Sequence, residues 1–154
     1  MDTDQRSERP FLTELRSAHP GPPATDYRAA AVKVIAAFVY EDGVVIEWLT
    51  SAMPELPNDP AYDMELEADE RFLDRPGIRE SFSRMRRLSN FWDSSELADD
   101  AGTAYESSWS DAGSQAGGGY RGRLRFMPAP PKEAKRLTLR VQDDLAITID
   151  MRPV

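Results

Sequence analysis

The chain contains no cysteine. Disulfides, thiolate metal sites and cysteine nucleophiles are therefore excluded. Its one histidine is His19, in the proline-rich segment His19-Pro-Gly-Pro-Pro-Ala-Thr-Asp26. A Ser-His-Asp system or a histidine metal site would have to be built on that ring alone. No uninterrupted apolar run approaches the ~18 residues that a membrane-spanning helix needs. The first residues carry charge (Asp2, Asp4, Arg6, Glu8, Arg9) in place of the apolar stretch of a signal peptide, so a cytoplasmic protein is expected. Lysine is scarce beside arginine, and alanine, aspartate and proline are frequent, a bias that suits a GC-rich bacterial genome. A net charge of −8 and a pI near 4.7 weigh against a general nucleic-acid binder, because a polyanion would repel the chain.

The strongest positive signal is period-two alternation. Tyr120, Gly122, Leu124 and Phe126 alternate with Arg121, Arg123 and Arg125. Leu137, Leu139 and Val141 alternate with Thr138, Arg140 and Gln142, and Leu145, Ile147, Ile149 and Met151 with Ala146, Thr148 and Asp150. Such a pattern predicts antiparallel strands with one buried and one wet face. Upstream, Val32, Val34, Ala36, Phe38 and Tyr40 are expected on one face of a strand over 27–40. Asp42-Gly43 is expected to turn it into a partner over 44–50, with positive φ at the turn. Trp48 reads as a core residue. Twelve prolines and nine glycines agree with an all-β chain of many turns.

Other stretches break the pattern. Residues 1–26 read as a flexible arm, with one helical turn around Leu12 to Ser17 and a small apolar cluster of Phe11, Leu12 and Leu15. Residues 51–74 read as a solvated acidic loop with an edge strand near Tyr62 to Leu66. Glu65, Glu67, Asp69, Glu70 and Asp74 lack the ligand spacing and internal glycine of a calcium loop. Residues 74–89 read as a helix capped by Asp74, with Ile78, Phe82 and Met85 on one face and Arg84, Arg86 and Arg87 at its C-terminal end. Phe91 to Leu97 is expected to be extended. Ser110 to Gly119 is expected to be a mobile hairpin loop, since its glycine run precedes a strand and lacks the Gly-Lys-Ser/Thr end of a phosphate loop.

The hairpin pattern at Asp99-Asp100-Ala101-Gly102-Thr103-Ala104-Tyr105 resembles one in small, uncharacterised immunoglobulin-like β-sandwich proteins of bacteria. The run Phe126-Met-Pro-Ala-Pro-Pro131, followed by Ala134 and Leu137-Thr-Leu139, is similar to the strand, proline corner and final strand pair of the same proteins. The resemblance implies an antiparallel immunoglobulin-like β-sandwich over residues 27–154, mainly β, with a helix-bearing insertion at about 51–90. It implies no chemistry.

The candidate binding residues are Arg121, Arg123 and Arg125, spaced along one strand face, with Arg140 expected on a neighbouring strand. Two readings fit them. One is a solvated face answered by the chain's own acids, such as Glu106. The other is a strip for an acidic protein segment or a phosphate-bearing ligand, which the helix arginines would extend into an anion site. No catalytic residue, metal or cofactor is expected. The leading functional reading is a non-enzymatic interaction module with a protein partner, using a sheet face or edge. The rivals are a small-ligand binder or enzyme with a pocket between helix and sheet, and a structural subunit of a larger assembly. A deep pocket lined by Trp48, Trp92, Trp109 and the arginines would favour the second. A flat exposed apolar patch would favour the first.

Overall fold

The computed structural model describes residues 13–152, and within them the chain is mainly antiparallel β with two α-helices. The elements are β1 (Leu15–Pro20), β2 (Thr25–Tyr27), β3 (Ala30–Tyr40), β4 (Gly43–Thr50), α1 (Pro60–Ala68), a 3₁₀ turn (Glu70–Phe72) and α2 (Pro76–Asp93). They are followed by β5 (Glu96–Asp99), β6 (Glu106–Ser114), β7 (Tyr120–Met127), β8 (Arg136–Gln142) and β9 (Leu145–Asp150). The larger sheet has the order β1-β3-β4-β7-β6, with β2 also on β3, and the smaller has β5-β8-β9.

The alternation over residues 120–150 does what it predicts. Gly122, Leu124 and Phe126 are buried in the larger sheet, and Leu137, Leu139, Val141, Leu145, Ile147 and Ile149 in the smaller one. Three short strands cannot cover six, and the end of α2 fills the gap with buried Leu88, Phe91 and Trp92. Trp92 stacks on Trp48, with ring centroids 4.4 Å apart and 11° between planes. β7 makes room for that indole at Gly122, where a Cβ would stand 2.3 Å from Trp48 Cζ2.

Several local expectations are overturned. Leu15–Pro20 is a strand, not a helical turn, so His19 and Pro20 of the proline-rich segment join the sheet, whereas Gly21 to Ala24 lie between β1 and β2. The strand lies on the edge of β3, where the missing N–H of Pro20 breaks no interior ladder. Gly21 N–H then donates to the Ile35 carbonyl at 2.9 Å. Phe11 and Leu12 lie outside the described residues.

In β3 a bulge between Val34 and Ala36 switches the faces. Ala30, Val32 and Val34 point inward, then Ala37 and Val39, so Ala36, Phe38 and Tyr40 face away from the core. The β3–β4 turn consists of Glu41 and Asp42, because Gly43 already pairs with Tyr40. Gly43 does not have a positive φ. It is needed because a Cβ there would meet the Phe126 carbonyl oxygen at 2.7 Å. The positive φ angles occur in the preceding hairpin, at Arg28 (46°) and Ala29 (68°).

The expected edge strand at Tyr62 to Leu66 is helix α1. Asp59 starts it by accepting the Tyr62 N–H at 3.3 Å, and Pro60 occupies its first turn. α2 begins after Arg75, not Asp74, and continues through Phe91 to Asp93, where an extended chain was expected. Its arginines are therefore mid-helix. Arg86 bonds Asp59 and Arg87 bonds Asn58, both at 3.3 Å, which ties α2 to the start of α1. The Asp99 to Tyr105 segment crosses from the smaller sheet to the larger one instead of closing a hairpin. Asp99 organises that crossing by accepting from the N–H groups of Ala101 and Thr103 and from the Tyr105 hydroxyl at 2.6 Å.

Candidate functional site

Alternation along β7 puts Arg121, Arg123 and Arg125 together on the face of the larger sheet that looks away from the core. Each meets an acid supplied by a neighbouring strand or turn. Arg121 pairs with Glu47 at 2.9 Å, and Arg125 with Asp42 at 2.9 Å. Arg123 grips Asp111 through Nε at 3.2 Å and again through Nη2, and lies 4.9 Å over the Trp109 ring. The acids are thus Glu47, Asp111 and Asp42. Glu106 instead stands opposite Met127.

The environment of these pairs differs along the strip. The Arg121 side chain is 50% exposed, whereas that of Arg125 is 13% exposed, so Arg125 depends more on its partner. Burial alone would raise the Asp42 carboxyl. Hydrogen bonds from Thr13 and Arg125 outweigh it and hold that carboxyl below its ordinary value. The Thr13 bond is 2.7 Å long and fastens the start of β1 to the β3–β4 turn. The bonds to Asp111 raise the pKa of Arg123, keeping that guanidinium charged. Burial raises the Tyr40 hydroxyl beside the strip, and Glu47 adds to the shift.

Arg140 is not part of this group. The neighbours of β7 are β4 and β6, and after the proline corner the chain passes to the other sheet, where β8 sets Arg140 opposite Glu96. Its Nη1 donates to the Asp143 carbonyl at 3.4 Å. The helix arginines do not complete an anion site either. They are engaged with Asn58, Asp59 and Glu80, while the strip lies on the opposite side of the larger sheet from the core that α2 enters.

The tryptophans do not surround a pocket. Trp48 and Trp92 are in the core, whereas Trp109 is on the outer sheet face beneath Arg123. The ring of His19 is on β1, 2.9 Å from the Ser17 hydroxyl. Burial lowers its pKa, and the Asp150 charge works the other way. No helix among the described residues is long and apolar enough to cross a membrane.

One structural feature was hidden in the stretch expected to be a loop. Ser110–Ser114 belongs to β6, and only Gln115 to Gly119 forms the hairpin loop, with positive φ at Gly117, Gly118 and Gly119. Among the described residues, β6 ends the larger sheet and pairs with β7 alone. None of its nine residues is buried. Among the described residues, no other backbone bonds to its far side. From Trp109 to Ser114 its register against β7 is regular, since the bulge lies between Ser107 and Trp109. Both edge strands have a bulge, but the opposite one, β1, also ends in Pro20. The signal was present in sequence, because Trp109 and Asp111 lie as far before Gly117 as Arg125 and Arg123 lie after it. The serines and glycines between them masked it. No family model, curated protein or solved structure matches the chain.

Proposed function

We propose that this chain is a non-enzymatic protein-interaction module that binds a partner along the edge of its larger sheet. The observation that carries this reading is the outer edge of β6, with which no backbone of the described residues pairs; the strand has no proline, lysine or buried side chain, and its register is regular from Trp109 to Ser114. Such an edge presents a row of backbone donors and acceptors to an incoming strand, and natural sheets usually blunt or cover it. The rival with a pocket between helix and sheet is weakened by the positions of the tryptophans, two stacked in the core and one outside.

We read the scaffold as immunoglobulin-like. Taking β3 through β9 as seven consecutive strands A to G, the two sheets have the orders ABED and CFG, those of a constant-type immunoglobulin domain. The helical segment is then an insertion between strands B and C. On this reading the interaction edge is strand D.

The test is affinity purification from the native cells with the wild-type chain and with a Ser110→Lys/Ser114→Lys variant, whose lysines would blunt the edge. Circular dichroism would first show that both are folded. A stoichiometric protein partner held by the wild type and lost by the variant is expected. A partner held equally by both would contradict use of this edge.

A further inference from the structure

Building on the reading above, we infer that the β6 edge takes an extended basic segment, added as an antiparallel strand, with a lysine or arginine two residues before an apolar residue. The register across the larger sheet carries this. In one cross-strand row, Glu47 stands opposite Arg123, and Arg123 opposite Asp111. The charges run acid, base, acid, and the row ends at the open edge. Opposite charges directly across a strand pair are favourable and like charges are not, so the next strand should supply a cation at that position. Asp111 bonds Arg123 through both oxygens, but an ionised carboxylate has further lone-pair sites for a second donor.

The neighbouring rows define the flanking positions. Val45, Arg125 and Trp109 form one row, and Trp109 is half-buried with Arg123 over its ring. An apolar side chain beside Trp109 would extend the cover of that indole. Leu49, Arg121 and Gly113 form the other row. Gly113 has no side chain, and a groove of about 400 Å³ opens there beside the Arg121–Glu47 pair. A longer side chain fits at that position, so it need not be specified. Strand polarity then sets the order. An antiparallel segment passes Gly113 first, then Asp111, then Trp109, so its basic residue precedes its apolar one by two.

Charge argues against a second copy of this chain as the occupant. β6 contains Glu106 and Asp111 but no lysine or arginine, and the chain carries a net charge of −8. Two such edges would bring acids to acids.

The experiment selects binders from a peptide library, seven random positions long, displayed against the full folded chain. Hydrogen exchange of the complexes then locates the site. The expected result is enrichment of basic-x-apolar sequences that slow exchange at residues 109–114 and bind Asp111→Asn about three- to fivefold more weakly. Enriched peptides that protect 109–114 but lack the basic residue, or ignore Asp111→Asn, would overturn the assigned chemistry while leaving the interaction edge standing. Peptides that protect another surface would overturn the edge itself. Enrichment of no peptide would count against both the edge and the interaction module. If Asp111→Asn fails to fold, the composition of the enriched peptides and the exchange map of the wild type still decide the outcome.

Discussion

Trp48 of β4 and Trp92 of α2 lie nearly parallel, 4.4 Å between ring centroids, and join the larger sheet to the helical segment between β4 and β5. Both are about 1% exposed. The helical segment is therefore part of the core, through the last turns of α2 with buried Leu88, Phe91 and Trp92.

Trp92→Ala should accordingly destabilise the whole domain. Removing a fully buried large aromatic costs about 3–5 kcal/mol, through lost burial and the cavity left behind. Urea denaturation followed by circular dichroism measures it. A loss below about 1 kcal/mol would mean that the helix only rests on the surface.

Gly122→Ala should be harmful for the same contact seen from the other side. The added Cβ would meet Trp48 Cζ2 at 2.3 Å and the Asp111 carbonyl oxygen at 2.3 Å. Overpacking of this kind costs about 1–3 kcal/mol. Trp48 fluorescence should shift along with the melting temperature, whereas a variant with wild-type stability and spectrum would contradict the packing.

Ala29→Gly should stabilise the protein. Ala29 adopts a φ of 68° in the β2–β3 turn, a region that costs a non-glycine residue about 1 kcal/mol or more. The gain is partly offset by the greater freedom of glycine in the unfolded chain, leaving about 0.5 kcal/mol. A lower melting temperature for Ala29→Gly would show that the turn is not in this conformation.

Asp42 should make stability depend on acid pH. Hydrogen bonds from Thr13 and Arg125 depress its pKa below the ordinary 3.8. The unfolded chain then takes up the proton first as pH falls. The contribution is fully present above pH ~4 and is lost as pH drops through the lower, folded-state value. In urea titrations at pH 6 and pH 3, wild type and Asp42→Asn should differ more at pH 6. An equal difference at both would contradict the assignment.

The strand pairs of residues 120–150 were legible because strict alternation leaves one face for the core. Leu139 illustrates it: fully buried opposite Ile147, it should not tolerate Leu139→Asp, which would bury an unpaired charge. The Arg121, Arg123 and Arg125 face was legible for the same reason, whereas its acids were not, since Asp42 and Glu47 come from the β3–β4 hairpin and Asp111 from β6. The bulge at Ile35 leaves no trace in a run that is apolar on both faces. The last turn of α2 was misread because Phe91 and Trp92 are good strand formers, yet burial against Trp48 decides their conformation. Arg140 was misplaced because alternation gives a face within a sheet but not which sheet a strand joins.

The central claim is that the β6 edge is open, and amide hydrogen exchange on the free protein, resolved residue by residue by NMR, tests it most directly. Alternate amides from Trp109 to Ser114 should exchange at nearly unstructured rates, while those bonded to β7 are protected. Uniform protection along the whole of β6 would show that the edge is already covered and would contradict the account.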